Sequence, residues 1–172
     1  VVVDADSSGM GYDLRTTEKN IQLYNQLSGR AGRFSKKSTI IYQTITPLNE
    51  TLKDVLENNP EKFLHNELII RKNKNLPPFS RLIALVISAS SSQDSFRAAQ
   101  EIKKKLSSLV ELDILGPVDS PIFRVKKKFR TRLLLRSKNS NLIQKKVAKI
   151  IENLTISKKI KLTVDVDPIN FA

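Results

Sequence analysis

The order in which two hydrophobic periodicities alternate along residues 79–172 constrains the fold more than any other feature of the sequence. Four segments are strand-like, being apolar, β-branched or alternating: residues 81–89, 112–125, 129–136 and 160–166. Two further segments carry apolar residues at helical spacing: residues 96–109 and 143–154. The order β-α-β-β-α-β is that of the ferredoxin-like, or split βαβ, arrangement. The sequence therefore predicts an α+β fold for this part of the chain.

Two of the predicted strands can be given a position in the sheet. Residues 81–89 are largely apolar, which is typical of a central strand. The second strand contains Gly116-Pro117 and Pro121, which belong on a sheet edge or at a bulge. The first helix is predicted to present one apolar face formed by Phe96, Ala99, Ile102, Leu106 and Leu109.

Residues 1–46 mix strand and helix signals. Residues 1–3 are predicted to end a buried strand, and residues 39–45 to form another. Between them, a loop over residues 4–13 is predicted to precede a helix from Thr17 that ends at Gly29, a residue suited to a helix C-terminus.

Two short helices are predicted before the first strand of the ferredoxin-like part. They begin at Thr46-Pro47 and Asn59-Pro60, where a capping side chain precedes a proline. The first is predicted to bury Leu52, Val55 and Leu56. Because each proline restricts the residue before it, a domain boundary is predicted at Pro77-Pro78.

Positive charge is concentrated in the second half of the chain. The 172 residues carry 30 Lys and Arg against 17 Asp and Glu, a net charge of +13. Residues 1–75 hold 11 basic and 9 acidic side chains, whereas residues 76–172 hold 19 and 8. Such a surface favours a polyanionic partner, nucleic acid before an anionic membrane; a merely soluble basic protein is the alternative.

Composition also excludes several classes of protein. There is no Cys and one His, so a disulfide framework, a thiolate metal site and a structural zinc site are not expected within this chain. The apolar runs are far shorter than the roughly 18 residues of a membrane helix. The chain opens at Val1 without Met or a signal peptide, so we expect a fragment of a larger protein or a truncated reading frame.

Residues 26–33 form a motif suited to polyphosphate. Arg30 and Arg33 flank turns that contain Gly29 and Gly32, and guanidinium groups grip phosphate oxygens in pairs. A solvated basic loop is the alternative. The pattern Gln-x-x-Gly-Arg-x-Gly-Arg is similar to the last motif of superfamily 2 helicases, on the second motor lobe. That resemblance implies that Gln26 orients, that Arg30 contacts nucleotide or the lobe interface, and that Arg33 is an arginine finger.

Other parts of a motor are missing from the sequence. It contains no Gly-x-x-x-x-Gly-Lys-[Ser/Thr] phosphate loop and no strand-borne Asp-Glu pair for Mg²⁺. We therefore expect the 172 residues not to hydrolyse ATP by themselves.

Residues 121–138 carry eight basic side chains and no acid. A hairpin is predicted here, with the turn at Lys127-Lys128 and the charges on one face and the tip. The predicted DNA-binding residues are Arg124, Lys126, Lys127, Lys128, Arg130 and Arg132. Phe123 and Phe129 are interpreted as core residues, with stacking on an unpaired base as the alternative. The charges could instead meet the acidic tail of a protein.

Three other polar residues are interpreted as structural. His65 stands alone on a helical pattern and is predicted to be at the surface or half-buried. Asp165 alternates outward on the last strand, and Asp167 precedes Pro168 at a turn. No catalytic triad or metal site is predicted.

Taken together, the sequence resembles the C-terminal part of the PriA-type replication-restart helicases of bacteria, the primosomal protein N′ family. The matching stretches are Asp4-Ala5-Asp6, residues 26–33, Pro77–Arg81, Leu115–Pro117 with Pro121 and Arg124, Arg130 with Leu133–Leu135, and Val164–Pro168. The final domain of that family looks like the ferredoxin-like arrangement predicted above.

The resemblance implies a bacterial cytoplasmic protein that binds stalled forks, D-loops and single-stranded DNA. It implies 3′-to-5′ unwinding with ATP and Mg²⁺, reloading of the replicative helicase with other primosome proteins, and a monomer. Zinc is implied for the full-length protein but not for this chain. The implied domains are the end of the second, RecA-like motor lobe (1–46), a helical connector (47–78) and a DNA-binding domain (79–172).

The resemblance also implies a docking site for single-stranded DNA-binding protein. Gln144 falls at the position of a glutamine that matters there, whereas Ser140 replaces an arginine, with Lys145 nearby. Two other interpretations stay open. One is a free-standing nucleic-acid-binding module without a motor, and the other is an interaction domain that binds acidic tails.

Overall fold

The fold is taken from a computed structural model that describes residues 1–5, 14–31, 39–47, 50–57, 59–138 and 141–169. The chain divides into two compact units, Val1–Ile70 and Arg71–Ala172. The finer division into residues 1–46, 47–78 and 79–172 stays a prediction.

The C-terminal unit has the predicted ferredoxin-like order. Its elements are β1 (Arg81–Ala89), α4 (Ser92–Leu106), β2 (Asp113–Val125), β3 (Lys128–Ser137), α5 (Asn141–Glu152) and β4 (Lys161–Val166). They are numbered after the helices α1 (Thr16–Ala31), α2 (Glu50–Glu57) and α3 (Pro60–Asn73). The sheet order is β2-β3-β1-β4 and every neighbouring pair is antiparallel. The α+β prediction is confirmed, and β1 is a central strand as expected.

One face of the sheet packs against α4 and α5. This core joins inward residues of β1 and β3 to both helices and includes Ile83, Leu85, Ile87, Ala99, Ile102, Leu106, Leu133, Leu135, Ile143 and Val147. Phe96 was predicted to belong to it but is 38% exposed, because Ser95 and Ala98 lie on the buried side of α4 instead. The Ser95 hydroxyl makes a 2.8 Å hydrogen bond with that of Thr131, which satisfies two buried polar groups.

The start of α4 and the edge strand β2 follow the sequence signals. Ser91 caps α4, since its hydroxyl accepts a 3.2 Å hydrogen bond from the Asp94 amide. The register of β2 shifts between Leu115 and Val118 and again between Asp119 and Arg124, at the predicted proline positions. Gly116 has φ +98°, and an added Cβ would lie 2.8 Å from the Arg132 carbonyl oxygen. The first bulge therefore requires glycine.

In the N-terminal unit, α1 continues through Gly29 to Ala31, so the predicted end at Gly29 is wrong. Apart from its chain neighbours and the backbone of its own helix, no described atom lies within 4 Å of a Cβ built on Gly29, and glycine inside a helix costs only about 1 kcal/mol relative to alanine. Tyr24 is buried, donates a 2.9 Å hydrogen bond to the Ala5 carbonyl, and contacts the Tyr42 ring edge-on at 5.2 Å.

The two strands predicted over residues 1–3 and 39–45 are reduced to one parallel bridge between Val2 and Tyr42. A parallel strand needs cover on both faces, and Val1, Val3, Ile41 and Ile45 are exposed. The RecA-like character of this segment stays a prediction.

The two connecting helices agree with their start signals in part. Asn59 caps α3 through a 3.0 Å hydrogen bond from the Lys62 amide, as predicted. The predicted start of α2 runs into residues 48–49, which lie outside the described residues. Leu52 is buried, but Leu56 is 71% exposed, so its predicted burial is wrong. The described part of α2 ends one residue after Leu56, at Glu57.

Candidate nucleic-acid interface

The basic hairpin joins β2 to β3 through a two-residue turn, Lys126-Lys127. Their φ angles are +48° and +64°, and the flanking pairs are Val125 with Lys128 and Arg124 with Phe129. Positive φ at both central residues is the type I′ geometry that suits a twisted hairpin. Lys126, predicted on a strand, therefore lies in the turn, and Lys128, predicted in the turn, begins β3.

The cross-strand pairs decide which face each basic residue occupies. Arg130 pairs with Ser88 and Arg132 with Val86, both on β1, so they lie on the face opposite Ile83, Leu85 and Ile87. We call this face, opposite α4 and α5, the outer sheet face. Arg124 pairs with Phe129, whose side chain alternates with that of Arg130. The prediction of a single charged face is thus wrong for Arg124.

A row of cations crosses the outer sheet face. Ser88 pairs with Arg130 on one side and with Lys161 of β4 on the other, so their backbones are about 10 Å apart. Arg132 follows Arg130 at about 7 Å along β3. In the described part of the chain, no carboxylate forms an ion pair with Lys128, Arg130 or Lys161.

The two neighbouring arginines are held in an unfavourable arrangement. Burial, together with the nearby positive charge of Arg130, lowers the pKa of the Arg132 guanidinium, which nonetheless stays protonated at neutral pH. An anion bound between them would offset the repulsion between the two positive charges. Lys161 was missed from the sequence, since alternation marks it as outward but no local signal reveals which β1 residue it pairs with.

Arg136 has a different role from the other hairpin arginines. Its guanidinium donates to Asp113 through Nε at 3.1 Å and Nη2, and to the Lys74 carbonyl at 2.9 Å through Nη1. It therefore ties β2 and β3 to the segment that follows α3, with its charge neutralised.

Phe123 and Phe129 form an aromatic cluster at the hairpin. Their ring centroids are 5.3 Å apart at an interplanar angle of 63°, and the Arg124 guanidinium lies 5.0 Å from the centre of the Phe129 ring. Neither ring belongs to the core, so the core interpretation is wrong. The reason is that β1 ends at Ala89, which pairs with Phe129, and the hairpin extends beyond it as two strands alone.

The motor motif is described only in part. Gln26, Gly29 and Arg30 lie exposed on α1, where Gln26 and Arg30 share one side because they are four residues apart. Arg33 and Gly32 lie outside the described residues. The roles of these residues toward ATP stay a prediction.

The candidate partner residues lie on α5. Gln144 is half-buried and Lys145 is exposed, whereas Ser140 lies outside the described residues. The next residue, Lys146, forms a 3.2 Å ion pair with Glu111.

The remaining polar residues agree with structural interpretations. His65 is exposed on α3, Asp165 is exposed on β4, and Asp167 forms a 2.9 Å ion pair with Arg81. Within the described ranges, no three His, Cys, Asp or Glu residues are grouped as metal ligands would be. None of the described helices is long and apolar enough to cross a bilayer.

Comparison with known proteins identifies a family and several relatives of this chain. Residues 72–169 match the model of the family described as the primosomal protein N C-terminal domain. The replication restart protein PriA of Rickettsia conorii is 31% identical over 170 residues, which cover 99% of this chain and 26% of that protein. PriA of Borreliella burgdorferi is 30% identical (98% and 26% covered), and PriA of Bacillus subtilis is 30% identical (97% and 21%). The chain thus spans about a quarter of the length of these curated relatives.

Proposed function

The chain belongs to the primosomal protein N C-terminal domain family, and on that premise we propose that its C-terminal unit binds DNA in bacterial replication restart. The outer sheet face supplies phosphate contacts, and so does the hairpin tip, by which we mean residues 123–129. The observation that carries this proposal is the row of cations Lys128, Arg130 and Lys161 beside Arg132, the first three of which form no ion pair with any described carboxylate. Binding through phosphates is independent of sequence, as fork recognition requires.

The test is the salt dependence of binding by the 172-residue chain. Fluorescence anisotropy with labelled forked, duplex and single-stranded oligonucleotides gives the affinity at several salt concentrations. If about five phosphates are neutralised on duplex DNA, log affinity falls with log salt at a slope of about −4 to −5. A salt-insensitive complex, or no complex, contradicts the proposal.

A matched pair of double variants locates the contacts. Arg130→Gln with Arg132→Gln removes two charges from the outer sheet face, so the slope becomes less negative by about 2. Lys104→Gln with Lys105→Gln removes two exposed charges from α4, on the other side of the sheet, and serves as the control. Equal loss of affinity in both pairs would show that only the net charge matters.

We further propose that this chain contributes to a 3′-to-5′ DNA helicase in which Gln26, Arg30 and Arg33 face ATP bound with Mg²⁺. The support is the motif spacing and the relatives' name as replication restart proteins. The 172 residues alone are expected to show no DNA-stimulated release of phosphate from ATP. Measurable turnover would refute the assignment of the missing phosphate loop to another part of the protein.

We propose that α5 contributes to docking of single-stranded DNA-binding protein through Gln144 and Lys145, and that the chain is a monomer. Calorimetry with that protein tests the first point, with Gln144→Ala as the variant and Asn153→Ala, just after the C-terminal end of α5, as the control. Equal affinity of both variants for single-stranded DNA-binding protein contradicts the proposed docking site.

Sedimentation at several protein concentrations tests whether the chain is a monomer.

The alternative interaction module predicts a different partner for the same cations. If the outer sheet face binds acidic protein tails, an acidic peptide should compete with DNA, and the Arg130 and Arg132 variant should lose both ligands. Loss of DNA binding alone favours the nucleic-acid interface.

A further inference from the structure

We propose that the hairpin tip holds an unpaired DNA base, stacked on the ring of Phe123. The inference deepens the DNA binding proposed above and rests on it. It assigns to the tip a preference for single-stranded nucleotides, whereas the outer sheet face contacts phosphates of any strand.

The position of Phe123 makes its ring available to a base. β1 ends at Ala89, opposite Phe129, and among the described strands none pairs with the hairpin beyond that point except β2 and β3 with each other. Phe123 does not belong to the core formed by β1, β3 and the two helices, nor to the residues packed against it. It is left 38% exposed, next to the exposed apolar residues Ile122 and Val125.

One aromatic neighbour supports the Phe123 ring. Phe129 contacts it in an inclined, edge-to-face manner at 5.3 Å, the favoured arrangement for two aromatic rings. Arg124 in turn covers Phe129 at 5.0 Å, within the range of a cation–π contact. Phe129 therefore has two such contacts and is half-buried, whereas Phe123 keeps open surface. A ring held in this way loses little conformational freedom when a base stacks on it.

The charges around the cluster match the backbone that would carry the base. Lys126, Lys127 and Lys128 follow within five residues of Phe123, and all three are exposed. Among the described residues, no carboxylate pairs with any of them. An aromatic platform beside a cationic strip is the combination by which proteins hold single strands without reading sequence.

Another phenylalanine of the unit provides a matched control. Phe96 on α4 is also 38% exposed, yet its surroundings include Asp119 rather than a run of lysines. Substitution at Phe96 removes a similarly exposed aromatic ring without changing the turn or Phe123.

The experiment measures binding of labelled single-stranded and blunt duplex oligonucleotides to the 172-residue chain by anisotropy. Phe123→Ala is expected to weaken single-strand binding by about 5- to 100-fold, the effect of losing one stacked base, and to change duplex binding by less than about twofold. The salt slope should stay the same because no charge is removed. Phe96→Ala should leave both affinities unchanged.

A second variant reports on stacking directly. The sequence contains no Trp, so Phe123→Trp places a single indole at the tip. Its fluorescence should be quenched as single strands bind, and that of Phe96→Trp should not. Unchanged Phe123→Trp fluorescence at saturation, or equal single-strand affinity of Phe123→Ala and the parent, overturns the stacking site while leaving the phosphate interface intact. Absence of any DNA complex with the parent chain removes both proposals together.

Discussion

Lys126 and Lys127 in the hairpin turn are predicted to lower the stability of the C-terminal unit while their charges strengthen DNA binding. Their φ angles of +48° and +64° belong to the left-handed region, which non-glycine residues avoid. Type I′ turns are dominated by Asn-Gly for this reason. Lys126→Asn with Lys127→Gly should therefore stabilise the hairpin and weaken DNA binding.

The magnitude of the stability gain follows from the turn geometry. A left-handed conformation costs a residue with a Cβ roughly 1–2 kcal/mol, and asparagine tolerates it better than lysine. Glycine removes the strain at position 127 but costs about 0.5–1 kcal/mol in unfolded-chain entropy. We expect a net gain of about 1 kcal/mol in the free energy of unfolding, or about 4–8 °C in Tm for a unit of this size.

The assay pairs thermal unfolding, followed by circular dichroism, with the salt dependence of DNA binding. If both lysines contact phosphate, the duplex salt slope becomes less negative by about 2. The control is Lys126→Ala with Lys127→Ala, which removes the same charges but keeps a Cβ at both positive-φ positions. It should bind as weakly as the Asn-Gly variant without gaining stability.

Two outcomes would refute the reasoning. Equal Tm values for the Asn-Gly and Ala-Ala variants would show that the turn is not strained by its side chains. Parent-like DNA affinity of both variants would show that the tip lysines are not phosphate contacts.

Three further predictions concern packing and ionisation. Gly116→Ala should destabilise the C-terminal unit by about 1–3 kcal/mol in urea unfolding, since its Cβ would lie 2.8 Å from the Arg132 carbonyl oxygen; parent-like stability contradicts the bulge. Ser95→Ala should cost about 1–3 kcal/mol by leaving the buried Thr131 hydroxyl unpaired, and adding Thr131→Val should cost less than the two single changes summed. Burial raises the pKa of the Tyr42 hydroxyl above 10.0, so the stability it contributes is present below pH 10.0 and is lost as pH rises through the raised pKa. Tyr42→Phe should remove that part of the alkaline destabilisation in unfolding measured across this range, and an unchanged profile would contradict it.

The order of the elements was predictable because it depends on local signals. The apolar run 81–89 identified a central strand, and Pro117 and Pro121 identified the irregular edge strand. Phe96 was wrongly predicted to be buried. Helical spacing alone does not show that Phe96 lies at the border of the buried face, whereas the small residues Ser95 and Ala98 lie within it. In α4 the space facing Thr131 is filled by Ser95.

The distribution of charge between faces was not predictable, because it depends on the length of one turn. With a two-residue turn, Arg124 pairs with Phe129 and lies on the side away from Arg130. A loop one residue longer would have paired Arg124 with Arg130 on the same side. Lys-Lys is not a turn signal, and the turn predicted at Lys127-Lys128 lies one residue earlier, at Lys126-Lys127.

The number of basic residues in a segment does not by itself give the number available to DNA, because strand pairing and ion pairs decide which of them lie free on the binding surface. Residues 121–138 carry eight basic side chains, yet Arg136 is neutralised by Asp113 and anchors the Lys74 carbonyl. Lys161, which lies outside that stretch, joins the row because β4 pairs with β1 at Ser88. The cluster of basic residues in the sequence therefore includes Arg136, which has a structural role, and omits Lys161, which lies on the outer sheet face. The measured salt slope should follow the outer sheet face and the tip, so Arg136→Gln should lower stability more than it changes the slope.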